Sequence, residues 1–369
     1  MASSLVHVIP VLLLLLLLLV VCPYSVVSAS RYGPSRTLQC YKHLFSLGDS
    51  ITDTGNIASI APNNSVMAFP YGETFFHRPT DRFCDGRLIL PFLTPFLIGK
   101  TAVDFRQGAN LAVQQFFKDM GLDVTILPPF SLDVQLEWLN QVLHLLGPTK
   151  KERRNIMSRS LFLLGEVGIN DYNHPFLQNW SFSDEIRPLV PKVIKKIENA
   201  TKVVRIYIPS GADRPWSQDD RRPWDHPHGL HSGVSDRVPE QHPDDYDAAG
   251  CLRWLNDFAE EHNRALRLML GQIHRDPAVT VVYADYYGAI MEITRFRKDV
   301  ALTACCGNGG AHNSGKSTYC NATSDLCPDP PEHISWDGLH LTEAAYEFVA
   351  RGLLDGPYAA PSILSKCGC

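Results

Sequence analysis

The sequence predicts an α/β fold in which helices cover both faces of a parallel sheet, and three observations support this. Apolar runs with the length of buried strands occur at residues 44–47, 160–164, 203–208 and 279–283. Segments with helical spacing of apolar residues lie between these runs. Polar motifs follow the first two runs directly, and ligands of parallel α/β folds bind where strands end at their carboxyl edge.

The helical segments are recognised by apolar residues that recur every three or four positions. The first has Leu132, Leu136, Leu139 and Leu143; the second has Ile186, Leu189, Val193 and Ile197. A third, long segment spans residues 247–273, and a fourth begins at Thr342 and Glu343.

Residues 1–29 have the pattern of a cleaved signal peptide. An unbroken leucine run from Leu12 to Leu19 is followed by small residues that end at Ala29. A membrane anchor is the alternative, but the apolar stretch at 11–21 is shorter than the roughly 20 residues that a span needs. We therefore predict a signal peptide at 1–29 and a single hydrolase domain at 30–369. The mature protein is expected outside the cell or in the cell wall, with the vacuole as a second destination.

Cysteines and glycosylation sequons fit an exported protein. The sequence has ten cysteines, and removal of Cys22 with the leader leaves an odd number. The cluster from Cys305 to Cys327 predicts one or two local disulfides; zinc is the rival interpretation, but the spacings match no usual zinc pattern. N-glycosylation is predicted at Asn63, Asn179, Asn199 and Asn321.

Composition indicates a globular protein without a charged binding surface. Hydrophobic residues make up 45% of the chain and charged residues 20%, which is enough apolar material for a core. The formal net charge is −5, so nothing points to nucleic acid or to an anionic membrane as a partner. We expect no integral membrane span after signal cleavage.

The first candidate site follows the run at 44–47. Gly48 permits a tight turn, and Ser50 stands where the strand stops. A serine at such a corner can attack a carbonyl if a base lies beside it. An ordinary turn with an aspartate cap is the alternative for Gly48-Asp49-Ser50 alone.

Two further motifs could complete this site. Asn170 comes shortly after the strand at 160–164, where its amide could donate to a developing oxyanion; an Asx turn or helix cap is the alternative. His340 lies three residues after Asp337, and a loop through Gly338 could let the carboxylate hold the imidazole. A capping turn before a helix is the alternative here.

Taken together, these motifs resemble the plant-type GDSL esterase/lipase (SGNH hydrolase) family. The resemblance rests on the string from Gly48 to Asn56, on Gly168-Ile169-Asn170-Asp171, and on Trp336-Asp337-Gly338-Leu339-His340-Leu341-Thr342. It implies a three-layer, flavodoxin-like α/β/α sandwich. It also implies Ser50 as nucleophile, His340 as base, Asp337 as its orienter, and the Ser50 N–H and Asn170 as oxyanion donors.

The resemblance implies a secreted serine esterase that hydrolyses acyl or acetyl esters through an acyl-enzyme. No metal or organic cofactor is expected, and the substrate would be a small-molecule or cell-wall ester. Deacetylation of a sugar would use the same residues. The alternative from another class is a secreted glycoprotein that keeps the fold and has impaired or lost catalysis.

Two departures from the family pattern support that alternative. Gly108-Ala109-Asn110-Leu111-Ala112-Val113 matches a family block, but Gln115 stands where the family has a glycine whose N–H is the third oxyanion donor. Residues 211–245 are foreign to the family and indicate an irregular loop or a misplaced exon boundary in the coding sequence. His226, His228 and His231 in that segment are candidate metal ligands, but no supporting acid or structured context accompanies them.

Overall fold

The computed structural model describes residues 40–90, 92–113, 130–206, 242–273, 280–297, 300–310, 312–314 and 319–366. The predicted signal peptide, Gln115 and the three histidines at 226, 228 and 231 lie outside these ranges. Of the atypical segment 211–245, only the last four residues are described, and Pro243–Asp245 form a 3₁₀ turn.

Along the described chain, strands and helices are mixed up to residue 164, and four α-helices follow one another after it before the next strand. The strands are β1 (His43–Leu47), β2 (Gly108–Asn110), β3 (Ser160–Leu164), β4 (Cys306–Gly307) and β5 (Asp325–Leu326). The helices are α1 (Asn56–Ile60), α2 (Leu132–Leu146), α3 (Lys150–Met157), α4 (Ile169–Leu177), α5 (Val190–Ile206), α6 (Arg253–Ile273), α7 (Tyr286–Phe296) and α8 (Glu343–Asp355).

The central sheet is parallel, with β1 between β2 and β3. Leu44 pairs with Gly108 on one side and with Leu161 on the other. All five residues of β1 pair with β3, so the two strands end together at Leu47 and Leu164. The predicted strands at 44–47 and 160–164 are therefore confirmed, and so is their parallel arrangement.

Helices cover both faces of this sheet. On one face Phe45 stacks on Phe162, with ring centroids 5.2 Å apart, and both pack in the core cluster that contains residues of α2, α5 and α6. Leu163 points to the opposite face, where it packs with Val349 and Leu353 of α8 and with residues of α7. Side chains of a strand alternate between faces, so one apolar run fills both cores. The α/β prediction is confirmed.

Two predicted strands are wrong over the residues that the structure describes; residues 207, 208 and 279 lie outside the described ranges. Residues 203–206 are the last turn of α5 rather than a strand, because they continue the spacing set by Val193 and Ile197: Val204 packs in the core, while Val203 is 36% exposed. Residues 280–283 carry no strand, and only Ala284 forms an isolated bridge, with Ala359. Within the described residues, the outer edge of β3 thus borders a cavity of about 580 Å³ instead of a fourth strand.

The long helix α6 begins later than predicted, at Arg253 instead of Asp247. The Asp247 carboxylate accepts hydrogen bonds from the Ala249 and Cys251 N–H groups, and Gly250 has φ +88°. These contacts fold residues 247–251 into a turn, because an aspartate that bonds to the backbone just ahead of it competes with the helix.

The C-terminal third is held by disulfides and a capped helix. Cys305 is bonded to Cys327 and Cys306 to Cys320, so the prediction of local disulfides is confirmed and zinc is ruled out for these four cysteines. Cys84 and Cys251 are buried free thiols. Helix α8 starts as predicted, with the Thr342 hydroxyl accepting from the Ala345 N–H at 3.3 Å.

Two features of the described residues concern membrane-spanning helices and N-glycosylation. In the part of the chain that the structure describes, no helix is both long and apolar enough to cross a membrane. The four sequon asparagines, Asn63, Asn179, Asn199 and Asn321, are all exposed.

Candidate active site

Ser50 lies in a turn that leaves β1 at its carboxyl end. Gly48 has φ +146°, and a Cβ there would stand 2.8 Å from the Thr52 Oγ1 atom, so this position requires glycine. The Asp49 carboxylate accepts the Ile51 N–H at 3.1 Å and closes the turn. The Ser50 side chain therefore starts from a fixed backbone, and the residue is 6% exposed.

Two buried amide side chains hold this turn from either side. Gln135 of α2 makes a pair of hydrogen bonds with the backbone of Gly48, accepting its N–H at 2.9 Å and donating to its carbonyl at 2.8 Å. Asn110, the last residue of β2, donates to the Thr52 carbonyl at 2.6 Å. Gln135 is not recognisable from the sequence as part of the site, because its contact with Gly48 spans 87 residues.

Asp337 and His340 lie on one tight loop before α8. The Trp336 N–H donates to the His340 carbonyl at 2.7 Å, and Gly338, with φ +88°, allows the chain to reverse between them. The Leu339 and His340 N–H groups donate to Asp337 Oδ1 at 3.0 and 2.8 Å. This local geometry brings the carboxylate and the imidazole together.

The structure brings the three predicted residues into one hydrogen-bonded row. His340 Nδ1 lies 2.8 Å from Asp337 Oδ2, and His340 Nε2 lies 2.9 Å from Ser50 Oγ. An ionised carboxylate only accepts hydrogen bonds, so Nδ1 carries the imidazole proton and Nε2 is the acceptor that faces the serine hydroxyl. Asp337 and His340 are each 1% exposed.

Asp337 is ionised although it is buried. Burial alone raises the pKa of its carboxyl, but the His340 charge and the hydrogen bonds from His340 and Tyr71 outweigh burial, and the pKa is lowered overall. A charged Asp337 can stabilise an imidazolium that forms when the serine proton moves to Nε2.

Two aromatic residues that sequence analysis left without a role surround this row. The Tyr71 hydroxyl donates to Asp337 Oδ2 at 2.9 Å. The Phe83 ring stacks on the His340 imidazole, with centroids 4.6 Å apart and planes 26° from parallel. The sequence contains no sign of these contacts, because they join side chains 266 and 257 positions apart.

Known proteins with this sequence pattern are ester hydrolases. The family described as GDSL-like lipase/acylhydrolase matches residues 44–353, most of the chain. A sinapine esterase from Brassica napus is 36% identical over 394 residues, covering 100% of this chain and 96% of that protein. A GDSL esterase/lipase from Arabidopsis thaliana is 37% identical over 361 residues, and the match covers 89% of this chain and 88% of the Arabidopsis protein.

The chain belongs to the GDSL-like lipase/acylhydrolase family. The resemblance predicted from the three motifs is therefore confirmed. Membership makes the protein a carboxylic ester hydrolase of the GDSL type.

In this GDSL hydrolase, Asn170 follows the strand next to the one that precedes Ser50. It is the second residue of α4, and Gly168, which caps the helix, has φ +111°. The alternative role as helix cap does not hold, because that position belongs to Gly168. The Asn170 Nδ2 atom is buried and has no hydrogen-bond partner among the described residues. Such an orphaned donor is costly in a protein interior and is typical of a group that acts on a ligand.

The pKa of a second carboxyl beside Ser50, that of Asp49, is shifted in the opposite direction to the pKa of Asp337. Asp49 is fully buried, its Oδ1 has one backbone donor, and its Oδ2 has no partner in the described structure. Burial raises the pKa of Asp49 to about 7. Burial and the Asp49 charge together raise the pKa of Glu166 well above its ordinary value. The ionisation of one of these two carboxyls therefore opposes the ionisation of the other.

Replacing Asp49 by asparagine is expected to change how stability depends on pH. A carboxyl whose pKa is higher in the folded chain stabilises the fold while protonated, and this contribution is lost as pH rises from its ordinary pKa of 3.8 to about 7. Asparagine resembles the protonated form at every pH. Asp49→Asn should therefore gain about 1–3 kcal/mol in unfolding free energy, relative to wild type, between pH 5 and pH 8.

Urea denaturation at a series of pH values measures this difference. Asp325→Asn, at an exposed residue of β5, is the control and should parallel wild type throughout. An unfolding free energy of Asp49→Asn that stays parallel to wild type from pH 5 to pH 8 would contradict the assignment.

Proposed function

We propose that the protein is a secreted serine esterase that cleaves carboxylic esters through Ser50, His340 and Asp337. The observation that carries the proposal is the row of short contacts, 2.9 Å from Ser50 Oγ to His340 Nε2 and 2.8 Å from His340 Nδ1 to Asp337 Oδ2. A nucleophile beside a base that is itself oriented by an acid is the arrangement that acyl transfer requires.

The first half of the reaction acylates the serine. Ser50 Oγ attacks the carbonyl carbon of the ester while its proton passes to His340 Nε2, giving a tetrahedral oxyanion. The oxyanion collapses as the bond to the alcohol oxygen breaks, and the alcohol leaves with the proton from His340. The acyl group is then bonded to Ser50.

The second half returns the enzyme to its starting state. Water attacks the acyl-Ser50 carbonyl and gives a proton to His340 Nε2. The second tetrahedral intermediate releases the carboxylic acid, and Ser50 Oγ recovers its proton from His340. Asp337 stays ionised throughout and stabilises the imidazolium in both halves.

Two donors are available for the oxyanion. The Ser50 N–H belongs to the turn that Gln135 and Asn110 hold, and the Asn170 amide is a buried donor without a partner among the described residues. Donors fixed before the reaction stabilise the charge that develops in the transition state without further rearrangement.

The substrate is proposed to be a small-molecule or cell-wall ester with an acyl or acetyl group. Support comes from the Brassica napus relative, whose name states that it is an esterase that acts on sinapine. Acetylated sugars are the other class, because the same residues would cleave them; a panel of both substrates decides between the classes.

Replacing Ser50 by alanine is expected to remove ester hydrolysis. The variant loses the atom that is acylated, and kcat for a short-chain p-nitrophenyl ester should fall by about 10⁴-fold or more. The assay uses secreted, glycosylated protein, and intact-mass measurement of quenched wild-type enzyme should show the acyl group on Ser50.

Ser46→Ala is the matched control for Ser50→Ala. Ser46 is a buried serine of β1, and its hydroxyl has no hydrogen-bond partner among the described residues, so this variant should keep the wild-type kcat. If folded wild type and Ser50→Ala are equally inactive across the substrate panel, the protein is instead a glycoprotein of this fold without turnover.

Asn170→Ala is expected to lower kcat by about 10²-fold with little change in KM, because an oxyanion donor acts mainly in the transition state. Asn173→Ala, on the same helix, is the control and should keep the wild-type kcat. Equal rates in Asn170→Ala and Asn173→Ala would remove Asn170 from the mechanism.

Export is proposed from the leader at 1–29, with support from the disulfides and the four exposed sequons. Protein recovered from the medium of plant cells should begin at Ser30, by N-terminal sequencing, and should lose mass on treatment with an N-glycosidase. Protein retained inside the cell with an intact residue 1–29 segment would contradict export.

A further inference from the structure

Tyr71 lies behind the carboxylate that faces His340. Its hydroxyl donates to Asp337 Oδ2 at 2.9 Å and accepts the Cys320 N–H at 3.2 Å. The backbone N–H can only donate, so the hydroxyl hydrogen is directed to Asp337. Burial, followed by the charge of Asp337, raises the pKa of Tyr71 well above its ordinary value, so the hydroxyl remains a neutral donor.

The tyrosine ring is fixed independently of its hydroxyl. Tyr71 is fully buried, and it packs edge-to-face on Trp336, with centroids 6.0 Å apart and planes at 74°. Cys320, which donates to the hydroxyl, is bonded to Cys306, and the Cys306 N–H donates to the Trp336 carbonyl at 2.7 Å. One disulfide therefore touches both Tyr71 and the backbone just before Asp337.

The two oxygens of Asp337 share His340 Nδ1 and differ in their other partners. Nδ1 lies 3.0 Å from Oδ1 and 2.8 Å from Oδ2. Oδ1 also accepts the Leu339 and His340 N–H groups, which belong to the same loop. Oδ2 accepts the Tyr71 hydroxyl at 2.9 Å, a donor from outside the loop on the oxygen that lies nearer to Nδ1.

We propose that Tyr71 is a positioning residue that holds the Asp337 carboxylate in the orientation needed for proton transfer between Ser50 and His340. This inference rests on the proposed serine esterase mechanism. Tyr71 touches neither the substrate nor the reacting atoms and acts through Asp337 alone.

The test begins with Tyr71→Phe, which keeps the ring and removes the hydroxyl. We expect kcat to fall about 10-fold while KM stays within about two-fold of wild type, because outer partners of this kind orient the inner group without binding substrate. Loss of one donor raises the pKa of Asp337, so the acidic limb of the pH profile should move to higher pH.

Tyr172→Phe is the matched control. Tyr172 is also buried, and its hydroxyl is bonded to His262 Nδ1 at 2.8 Å, away from the Ser50–His340–Asp337 row. Both variants therefore lose one buried hydroxyl and its hydrogen bond. Tyr172→Phe should keep the wild-type kcat and pH profile; a Tyr71→Phe variant with the same kcat and profile as Tyr172→Phe would overturn the proposal.

A second variant changes Tyr71 in the opposite direction. Fluorotyrosine at position 71 keeps the hydroxyl and makes it a stronger donor to Asp337. The acidic limb of the pH profile should therefore move to lower pH, opposite to its shift in Tyr71→Phe. This variant also decides the matter if Tyr71→Phe does not fold. An unchanged limb, or a limb that moves to higher pH, would contradict the inference.

A double-mutant cycle tests whether Tyr71 acts through Asp337. In an Asp337→Asn background, Tyr71→Phe should leave the residual rate unchanged, because the carboxylate it orients is gone. If Tyr71→Phe lowers the rate of hydrolysis by the same factor in both backgrounds, the tyrosine acts by another route.

One measurement separates this inference from the proposed function. The proton NMR signal of the imidazole N–H that faces Asp337 should move in Tyr71→Phe and stay in Tyr172→Phe, whether or not the protein turns over esters. A wild-type rate that survives Ser50→Ala would contradict the proposed function, whereas an unmoved signal in Tyr71→Phe would contradict only the role of Tyr71.

Discussion

The parallel pairing of β1 on both of its edges is the constraint on which the site depends. Because β1 lies between β2 and β3, its carboxyl end has no freedom to shift without breaking two rows of hydrogen bonds. The chain continues from there into the turn of Ser50. Directly after β3, the Gly165 N–H donates to the Leu47 carbonyl at 2.8 Å. Directly after β2, the Leu111 N–H donates to the Ser46 carbonyl at 2.7 Å. The turn is thus fixed by its neighbours before any side chain of the site is considered.

Three carboxyls near Ser50 show how hydrogen-bond donors decide the charge of a buried acid. Asp337 and Asp49 are both fully enclosed, and burial alone would raise both pKa values. Asp337 has donors on each oxygen and lies against His340, so its pKa is lowered. At Asp49, burial outweighs the backbone hydrogen bonds and the His340 charge, so its pKa is raised to about 7. Burial, followed by the Asp49 charge, raises the pKa of Glu166. The protein therefore places one fixed negative charge behind the imidazole and keeps the other acids able to hold protons.

Local patterns in the sequence predicted the parts of the structure that depend on neighbours along the chain. The strands at 44–47 and 160–164, the helix that begins after Thr342, and the loop joining Asp337 to His340 all follow from residues within a few positions. The strand prediction was wrong at 203–206 because a run of β-branched residues has high strand propensity, whereas Val204 continues the buried face of α5. Helix α6 was predicted too long because the side-chain bonds of Asp247 override its spacing.

The partners of the site residues could not be predicted in this way, since each comes from a distant part of the chain. Gln135 holds Gly48, Phe83 stacks on His340, and Tyr71 bonds to Asp337. Only the folded chain shows that Ser50 and His340, 290 residues apart, have their hydrogen-bonding atoms 2.9 Å from each other.

These partners also explain why so little motion is left to the imidazole. Phe83 covers one face of the His340 ring, the tight loop from Trp336 fixes its backbone, and Asp337 holds Nδ1. The atom that remains directed at the serine is Nε2. A base constrained in this way does not need to be reoriented during each turnover, so the free energy of ordering it is supplied by folding rather than by substrate binding. The buried aromatic and disulfide-bonded residues around the loop therefore support proton transfer by fixing the imidazole, although they exchange no proton themselves.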